Sequence, residues 1–166
     1  MKLNNLSLVV IAAIVIYIIL VGVVYYEKTS SLETPEMVQA LVAKAIKLYD
    51  EKGTDAFLVI NDNAEFHGKQ LYVYMFRDSD GIIVAHGVNK SLIGTNIDDL
   101  TDINDKNIGK TIIHDSATKD GVWVEYYWKD PETQKVLLKY AWLVKHDGYV
   151  FGSGIYTTDE TLENPN

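Results

Sequence analysis

Aromatic side chains recur at alternate positions in two segments of this sequence. Tyr72, Tyr74 and Phe76 alternate in the first segment, and Tyr126 and Trp128 alternate in the second. Because successive side chains of a β-strand point to opposite faces, each set lies on one face of its strand. Strand faces of this kind are common in buried cores. Tyrosine and tryptophan also carry polar groups that need partners, so the same faces suit a small binding pocket.

A lysine lies within a strongly apolar segment, residues 136–144. At strand spacing Lys139 shares a face with Leu137, Ala141 and Leu143. A buried ammonium group is costly, so such a lysine either extends along the apolar surface to reach water or pairs with an anion. The residues alone leave both alternatives open.

The sequence gives little support for a metal site or a catalytic site. The chain has no cysteine, which excludes disulfides, thiolate metal sites and cysteine nucleophiles. Its four histidines are not paired at metal-ligand spacing. The acidic segment 98–105 is only loosely similar to a calcium loop, because Lys106 falls at a ligand position. No nucleophile elbow or phosphate-binding loop occurs, so we expect no metal, no cofactor and no enzymatic activity.

Charge is distributed unevenly along the 166 residues. No charged side chain occurs from Leu3 to Tyr26, whereas all 23 acidic residues lie at Glu27 or later. Arg77 is the only arginine in the sequence. The body therefore lacks the basic surface that phosphate backbones require, and we expect no nucleic-acid partner. With 48% hydrophobic residues, the chain can fold around a core.

The uncharged segment 6–26 is long enough to cross a bilayer, because about 20 helical residues span a hydrocarbon core of about 30 Å. Secretory signal cores are shorter and end at small residues, whereas this segment ends in Tyr25 and Tyr26, which suit a membrane interface. We predict an uncleaved transmembrane signal anchor rather than a buried core helix. With Lys2 preceding it, the positive-inside rule places the N-terminus in the cytoplasm and the body outside the cell membrane.

The body is predicted to begin with a helix from Thr34-Pro35 to Gly53, since a capping threonine and proline precede apolar residues at helical spacing. Shorter helices are predicted over 54–61 and 109–119, and 87–107 is a candidate functional loop. Five strands are predicted from the alternation of side chains, at 71–77, 82–86, 122–129, 135–145 and 149–156. This order favours an antiparallel sheet with helices on one side.

Turn and strand residues follow one another in a characteristic order. The first hairpin and the loop after it carry Asp78, Gly81, Ala85, His86, Asn89, Gly94 and Asn96. The closing strands carry Gly121, Tyr126, Trp128, Pro131, Lys139, Gly152, Gly154 and Tyr156. Over residues 36–157 this ordered set resembles the signature of single Cache domains, which are extracytoplasmic sensor modules of chemoreceptors and histidine kinases. Gly87 departs from the family pattern, which has proline after the Ala-His pair.

The resemblance implies an α+β, PAS-like fold: a five-stranded antiparallel sheet with flanking helices, here preceded by one N-terminal transmembrane helix. It also implies a pocket for a short organic acid such as acetate, propionate, pyruvate or lactate. The family's pocket positions correspond to Tyr74, Phe76, His86, Tyr126, Trp128 and Lys139. We predict that His86 and Lys139 hold the carboxylate and that Tyr74, Tyr126 and Trp128 supply walls and hydrogen-bond donors.

The predicted organisation is a transmembrane signal anchor at 1–27, a linker at 28–34, a single Cache domain at 35–157 and a flexible tail at 158–166. Cache receptors usually continue through a second membrane span into a signalling domain, and this sequence ends at Asn166. We therefore expect sensing or solute capture to act through a signalling or transport membrane protein, or through self-association of the anchor.

A structural role is the alternative. An apolar N-terminal helix joined to a globular head is also the plan of subunits that form extracellular filaments or envelope layers. Two features count against it. The segment from Asn4 to Ser7 lacks the small residue of a prepilin cleavage site, and Pro35 interrupts the helix that leads into the head.

Overall fold

The computed structural model describes residues 5–30, 33–68, 70–102 and 105–157. The chain divides into two compact units, Met1–Glu33 and Thr34–Asn166, and each is described by itself. The predicted tail at 158–166 lies outside the described residues, as does part of the predicted linker, at 31–32.

The first unit is a helix, α1 (Asn5–Ser30), which extends through Ser30 into the predicted linker. Its described side chains, at 10–23, are apolar and exposed. Among the described residues, no helix combines the length and the apolar character needed to cross a membrane.

The second unit begins with the predicted helix, α2 (Pro35–Lys52). Thr34 caps it, because its hydroxyl oxygen accepts the backbone N–H of Met37 at 3.4 Å. Gly53 ends it with a φ of 58°, a conformation that favours glycine. A short helix, α3 (Ala56–Asp62), follows a single 3₁₀ turn.

The sheet has five antiparallel strands, as predicted. The strands are β1 (Tyr74–Arg77), β2 (Ile83–His86), β3 (Val122–Lys129), β4 (Val136–His146) and β5 (Tyr149–Thr157). Their order is β2-β1-β5-β4-β3, so the last strand lies at the centre of the sheet. β1 is shorter than predicted, because Tyr72 forms an isolated bridge with His67 instead of joining the ladder.

The two faces of the sheet carry separate hydrophobic clusters. On one face α2 and α3 pack against alternate sheet residues, including Val73, Met75 and Phe151. The opposite face carries Tyr72, Tyr74 and Phe76, and it is covered by the connection between β2 and β3. This connection includes a six-residue π-helix, Gly109–His114, where the sequence predicted a longer helix. The long connection thus closes over the face on which the candidate residues lie.

Candidate ligand-binding site

A small cavity lies between the sheet and the connection from β2 to β3. Its volume is about 20 Å³, which is room for about one water molecule. Six lining residues carry polar groups: Tyr72, Tyr74, His86, Tyr126, Trp128 and Lys139. The rest of the lining is aliphatic: Ile83, Leu92, Ile97, Leu100 and Ile113. Within the described part of the chain, no acidic side chain lines this cavity.

The cavity brings together five of the six residues that the sequence nominated. Phe76 is the exception: it is fully buried, and its ring packs edge-on against His114 with the ring centroids 5.2 Å apart. Tyr72 takes the corresponding place at the cavity. It shares a strand face with Tyr74, so the same alternation of side chains could have nominated it.

Lys139 is the only lysine among the residues that line the cavity, and its side chain is 1% exposed. Its Nζ donates a hydrogen bond to Tyr72 Oη at 2.8 Å and lies 4.0 Å from the centre of the Tyr72 ring. Gly154 makes room for it, because a Cβ at that position would lie 2.9 Å from Lys139 Cε. Of the two alternatives left open by the sequence, extension to water is therefore wrong: the ammonium group is buried at the cavity.

A hydrogen-bond chain continues from Lys139 toward the end of β3. Tyr156 Oη donates to the backbone oxygen of Lys129 at 3.2 Å. Its proton is therefore engaged, and in the 3.0 Å contact between the two hydroxyls Tyr72 is the donor. Burial raises the pKa of both tyrosines, so both stay protonated. Tyr72 thus accepts from Lys139 and donates to Tyr156, which orients the lysine but leaves Tyr72 no proton for a ligand.

His86 supplies a neutral donor. Its Nδ1 accepts the backbone N–H of Asn89 at 3.0 Å, so the ring proton resides on Nε2. Burial, together with the positive charge of Lys139, lowers the pKa of His86 to about 3. The imidazole is therefore uncharged at physiological pH. Asn61 holds the strand end from the other side, because its Oδ1 accepts the backbone N–H of His86 at 2.8 Å.

Tyr74 and Tyr126 form a second hydroxyl pair, with the two oxygens 3.1 Å apart. Burial raises the pKa of both hydroxyls, so both remain protonated. One of the two protons is used in the pair, and the other can be donated elsewhere. Gly152 lies directly beneath Tyr74, where a Cβ would overlap the phenol ring. A buried cation and two kinds of neutral donor thus converge on one cavity, an arrangement that suits an anion.

His114 links three segments at the far side of Phe76. Its Nδ1 lies 2.6 Å from Asp98 Oδ1, and its Nε2 lies 2.9 Å from the backbone oxygen of Asp78. Lys145 reaches Asp78 Oδ1 at 2.8 Å. Among the described residues, no group of three or more histidine, aspartate or glutamate side chains is placed to hold a metal ion. The contacts of His114 connect the π-helix to the segments that carry Asp78 and Asp98.

The strand order and the helices on one face define an α+β fold with a central antiparallel sheet, and a small cavity lies beneath its long connection. Residues 26–162 match the family described as Single Cache domain 2, and the chain belongs to this family. It therefore carries a Cache sensor domain, as the resemblance implied.

The chain is similar to solved structures of sensor domains, and the two with TM-scores above 0.5 share its fold. A methyl-accepting chemotaxis protein from Vibrio parahaemolyticus is 22% identical, with a TM-score of 0.61 over 83% of this chain and 93% of that one. A Cache chemosensory domain studied for carboxylic acid recognition is 16% identical, with a TM-score of 0.51 over 82% and 98%. A periplasmic sensor domain of a chemotaxis protein is 20% identical, with a TM-score of 0.49 over 72% and 92%. Comparison with curated protein sequences finds no match.

Proposed function

We propose that this Cache domain is an extracytoplasmic sensor that binds a small carboxylic acid in the cavity beside Lys139. The observation that carries the proposal is the buried ammonium group of Lys139 among neutral hydrogen-bond donors. A carboxylate is acceptor-only, so it complements a site made of a cation and N–H or O–H donors. The fold shared with a Cache domain studied for carboxylic acid recognition supports the same class of ligand.

In this proposal the carboxylate accepts hydrogen bonds from Lys139 Nζ and His86 Nε2. The hydroxyl proton left over from the Tyr74–Tyr126 pair supplies a further donor. Trp128 and Leu92 contact the rest of the ligand. The site holds and releases its ligand unchanged, so the protein is not an enzyme.

The proposal also includes the predicted attachment to the cell membrane. Residues 1–27 form a single-pass anchor with the N-terminus in the cytoplasm, and 28–34 link it to the Cache domain at 35–157 outside. The absence of charge from Leu3 to Tyr26 and the exposed apolar side chains at 10–23 support this arrangement. The signal or the captured solute passes to a signalling or transport membrane protein, or through self-association of the anchor.

The experiment is a binding titration of the full chain in detergent. Calorimetry measures the binding, and thermal unfolding measures the melting temperature at each ligand concentration. Acetate, propionate, pyruvate and lactate are the test ligands, and propionamide is the uncharged control of matched shape. We expect saturable binding and a concentration-dependent rise in melting temperature for at least one acid, and neither effect for propionamide. Failure of every organic acid to bind would refute the proposal. If regular assemblies also formed in negative-stain electron microscopy, the structural-subunit alternative would be favoured.

A further inference from the structure

A second, larger space lies against the cavity. This outer cleft has a volume of about 590 Å³. The two spaces have four lining residues in common: Tyr72, His86, Leu92 and Trp128. A ligand held by the donors of the cavity therefore lies beside the outer cleft.

The two volumes indicate how a ligand divides between the two spaces. A cavity of about 20 Å³ has room for about one water molecule, so it accommodates little more than the oxygen atoms of a carboxylate. The outer cleft, at about 590 Å³, is within the range of about 300–1,000 Å³ that is usual for small-molecule sites. A carboxylate at Lys139 would thus be attached to a body that lies in the cleft.

The cleft offers neutral groups that both donate and accept hydrogen bonds. Asn89 Oδ1 accepts two bonds from Ser91, which leaves its amide N–H groups available as donors. Gln134 Nε2 donates to the backbone oxygen of Pro131 at 2.8 Å, which leaves its Oε1 available as an acceptor. Thr101 adds a hydroxyl to the same lining. Ligand hydroxyls match such a surface, because each of them donates and accepts.

The remaining lining supports the same kind of ligand. Trp128 and Tyr127 present aromatic surface, and Tyr127 is 49% exposed. Aromatic side chains of this type combine apolar contact area with polar tips. Asp102 and Lys129 both line the cleft and carry opposite charges, so the cleft does not favour a second carboxylate or an amine.

We propose that the ligand is a polyhydroxylated carboxylic acid of about the size of a hexuronic acid. Its carboxylate meets Lys139 and His86, and its hydroxylated body lies in the outer cleft against Trp128. This inference rests on the proposed function, since it assigns the body of a ligand whose carboxylate is bound in the cavity.

The test compares four probes by calorimetry on the full chain: galacturonate, propionate, succinate and the uncharged sugar galactose. We expect galacturonate to bind at least about tenfold more tightly than propionate, because only the larger, hydroxylated body of galacturonate reaches the polar groups of the outer cleft, and we expect no binding of galactose. Val136 lines the outer cleft. The substitution Val136→Phe adds bulk there and should weaken galacturonate binding at least about tenfold, while propionate binding changes less than about twofold. Leu58→Phe adds the same kind of bulk on the exposed surface of α3 and should change neither affinity.

A second, more conservative variant tests the cleft in case Val136→Phe does not fold. Thr101→Val removes one hydroxyl with little change of shape, and it should weaken galacturonate binding about three- to tenfold without affecting propionate. Propionate binding as tight as that of galacturonate, with neither cleft variant affecting either acid, would overturn the inference and leave the proposed function standing. Tighter binding of succinate would overturn it in favour of a dicarboxylate. If none of the three acids binds, the proposed function fails together with the inference.

Discussion

Replacing Lys139 by methionine separates the role of this lysine in binding from its role in folding. Methionine is similar in length and apolar, so it fills the same space beside Gly154 and the Tyr72 ring. The change removes the hydrogen bond that the charged lysine donates to Tyr72, which costs about 1.5–3 kcal/mol, and it also removes the desolvation penalty of a buried charge. We expect these two terms to offset each other and the melting temperature without ligand to change by less than about 4 °C.

The effect on ligand binding should be much larger. A hydrogen bond to a charged group contributes about 1.5–3 kcal/mol, which corresponds to about a 10- to 150-fold loss of affinity. A ligand present at about 100 times its Kd stabilises the unmodified protein by about 2.7 kcal/mol. At the same ligand concentration the Lys139→Met variant should retain about half of this stabilisation or less. The substitution should therefore weaken binding while leaving the stability of the unliganded fold nearly unchanged.

The assay is thermal unfolding with and without a saturating acid, together with calorimetry at constant pH. Lys135→Met is the matched control, because Lys135 precedes β4 and its side chain is exposed. Unchanged acid binding by Lys139→Met would refute the assignment of the lysine to the site. A fall in melting temperature of more than about 10 °C without ligand would show instead that the buried charge stabilises the fold.

Three further predictions concern titration and close packing. Because burial and Lys139 lower the pKa of His86 to about 3, its ring should not titrate between about pH 5 and pH 8 in an NMR experiment. Burial alone would lower the pKa of His114, but Asp98 raises it above the ordinary value of 6.5. The protonated His114 ring therefore stabilises the fold fully below about pH 6.5, and this stabilisation is lost as the pH rises through the higher pKa of the folded state. The substitution His114→Gln should accordingly lower the melting temperature more at about pH 5 than at about pH 9. Gly152→Ala should displace Tyr74 from the cavity and weaken acid binding at least about tenfold, which calorimetry would measure.

Each of these predictions has a clear contrary outcome. A His86 resonance that titrates near neutral pH would contradict the neutral donor. A destabilisation by His114→Gln that is independent of pH would mean that the ion pair with Asp98 does not contribute. Gly148→Ala is the control for Gly152→Ala, because a Cβ at Gly148 would meet no neighbouring atom, although its φ of 78° adds backbone strain. Normal acid binding by Gly152→Ala would show that Tyr74 is not needed in its observed position.

Local sequence patterns predicted the sheet well, because the side chains of a strand alternate between its two faces regardless of which elements pack against it. The alternation around Tyr74 placed its side chain on the face opposite that of Met75, and the structure assigns the two residues to different clusters. The same logic placed Lys139 on one face with Ala141 and Leu143, and all three side chains are buried. The capped start of α2 at Thr34 likewise depended on neighbouring residues alone.

The lining contributed by the long connection could not be predicted in this way. Leu92, Ile97 and Leu100 lie in a polar segment without a regular period, and their places at the cavity depend on how the whole connection closes over the sheet. Phe76 shows the complementary difficulty. Its strand face was predicted, but the connection covers that end of the strand with His114 instead of leaving a cavity. Sequence spacing therefore indicates a face of the sheet, and long-range packing decides which part of that face remains open.

The acidity of the protein has a consequence for the kinetics of ligand capture. The formal net charge is −8, so an approaching carboxylate is repelled before it reaches the buried Lys139. At an ionic strength of about 0.1 M the Debye length is about 10 Å, so salt screens this long-range repulsion while the contacts inside the cavity are screened much less. The association rate should therefore rise with added salt while the dissociation rate changes little. For most charged ligand pairs salt weakens binding, whereas for this protein a more saline medium should make the response to an acid faster and more sensitive.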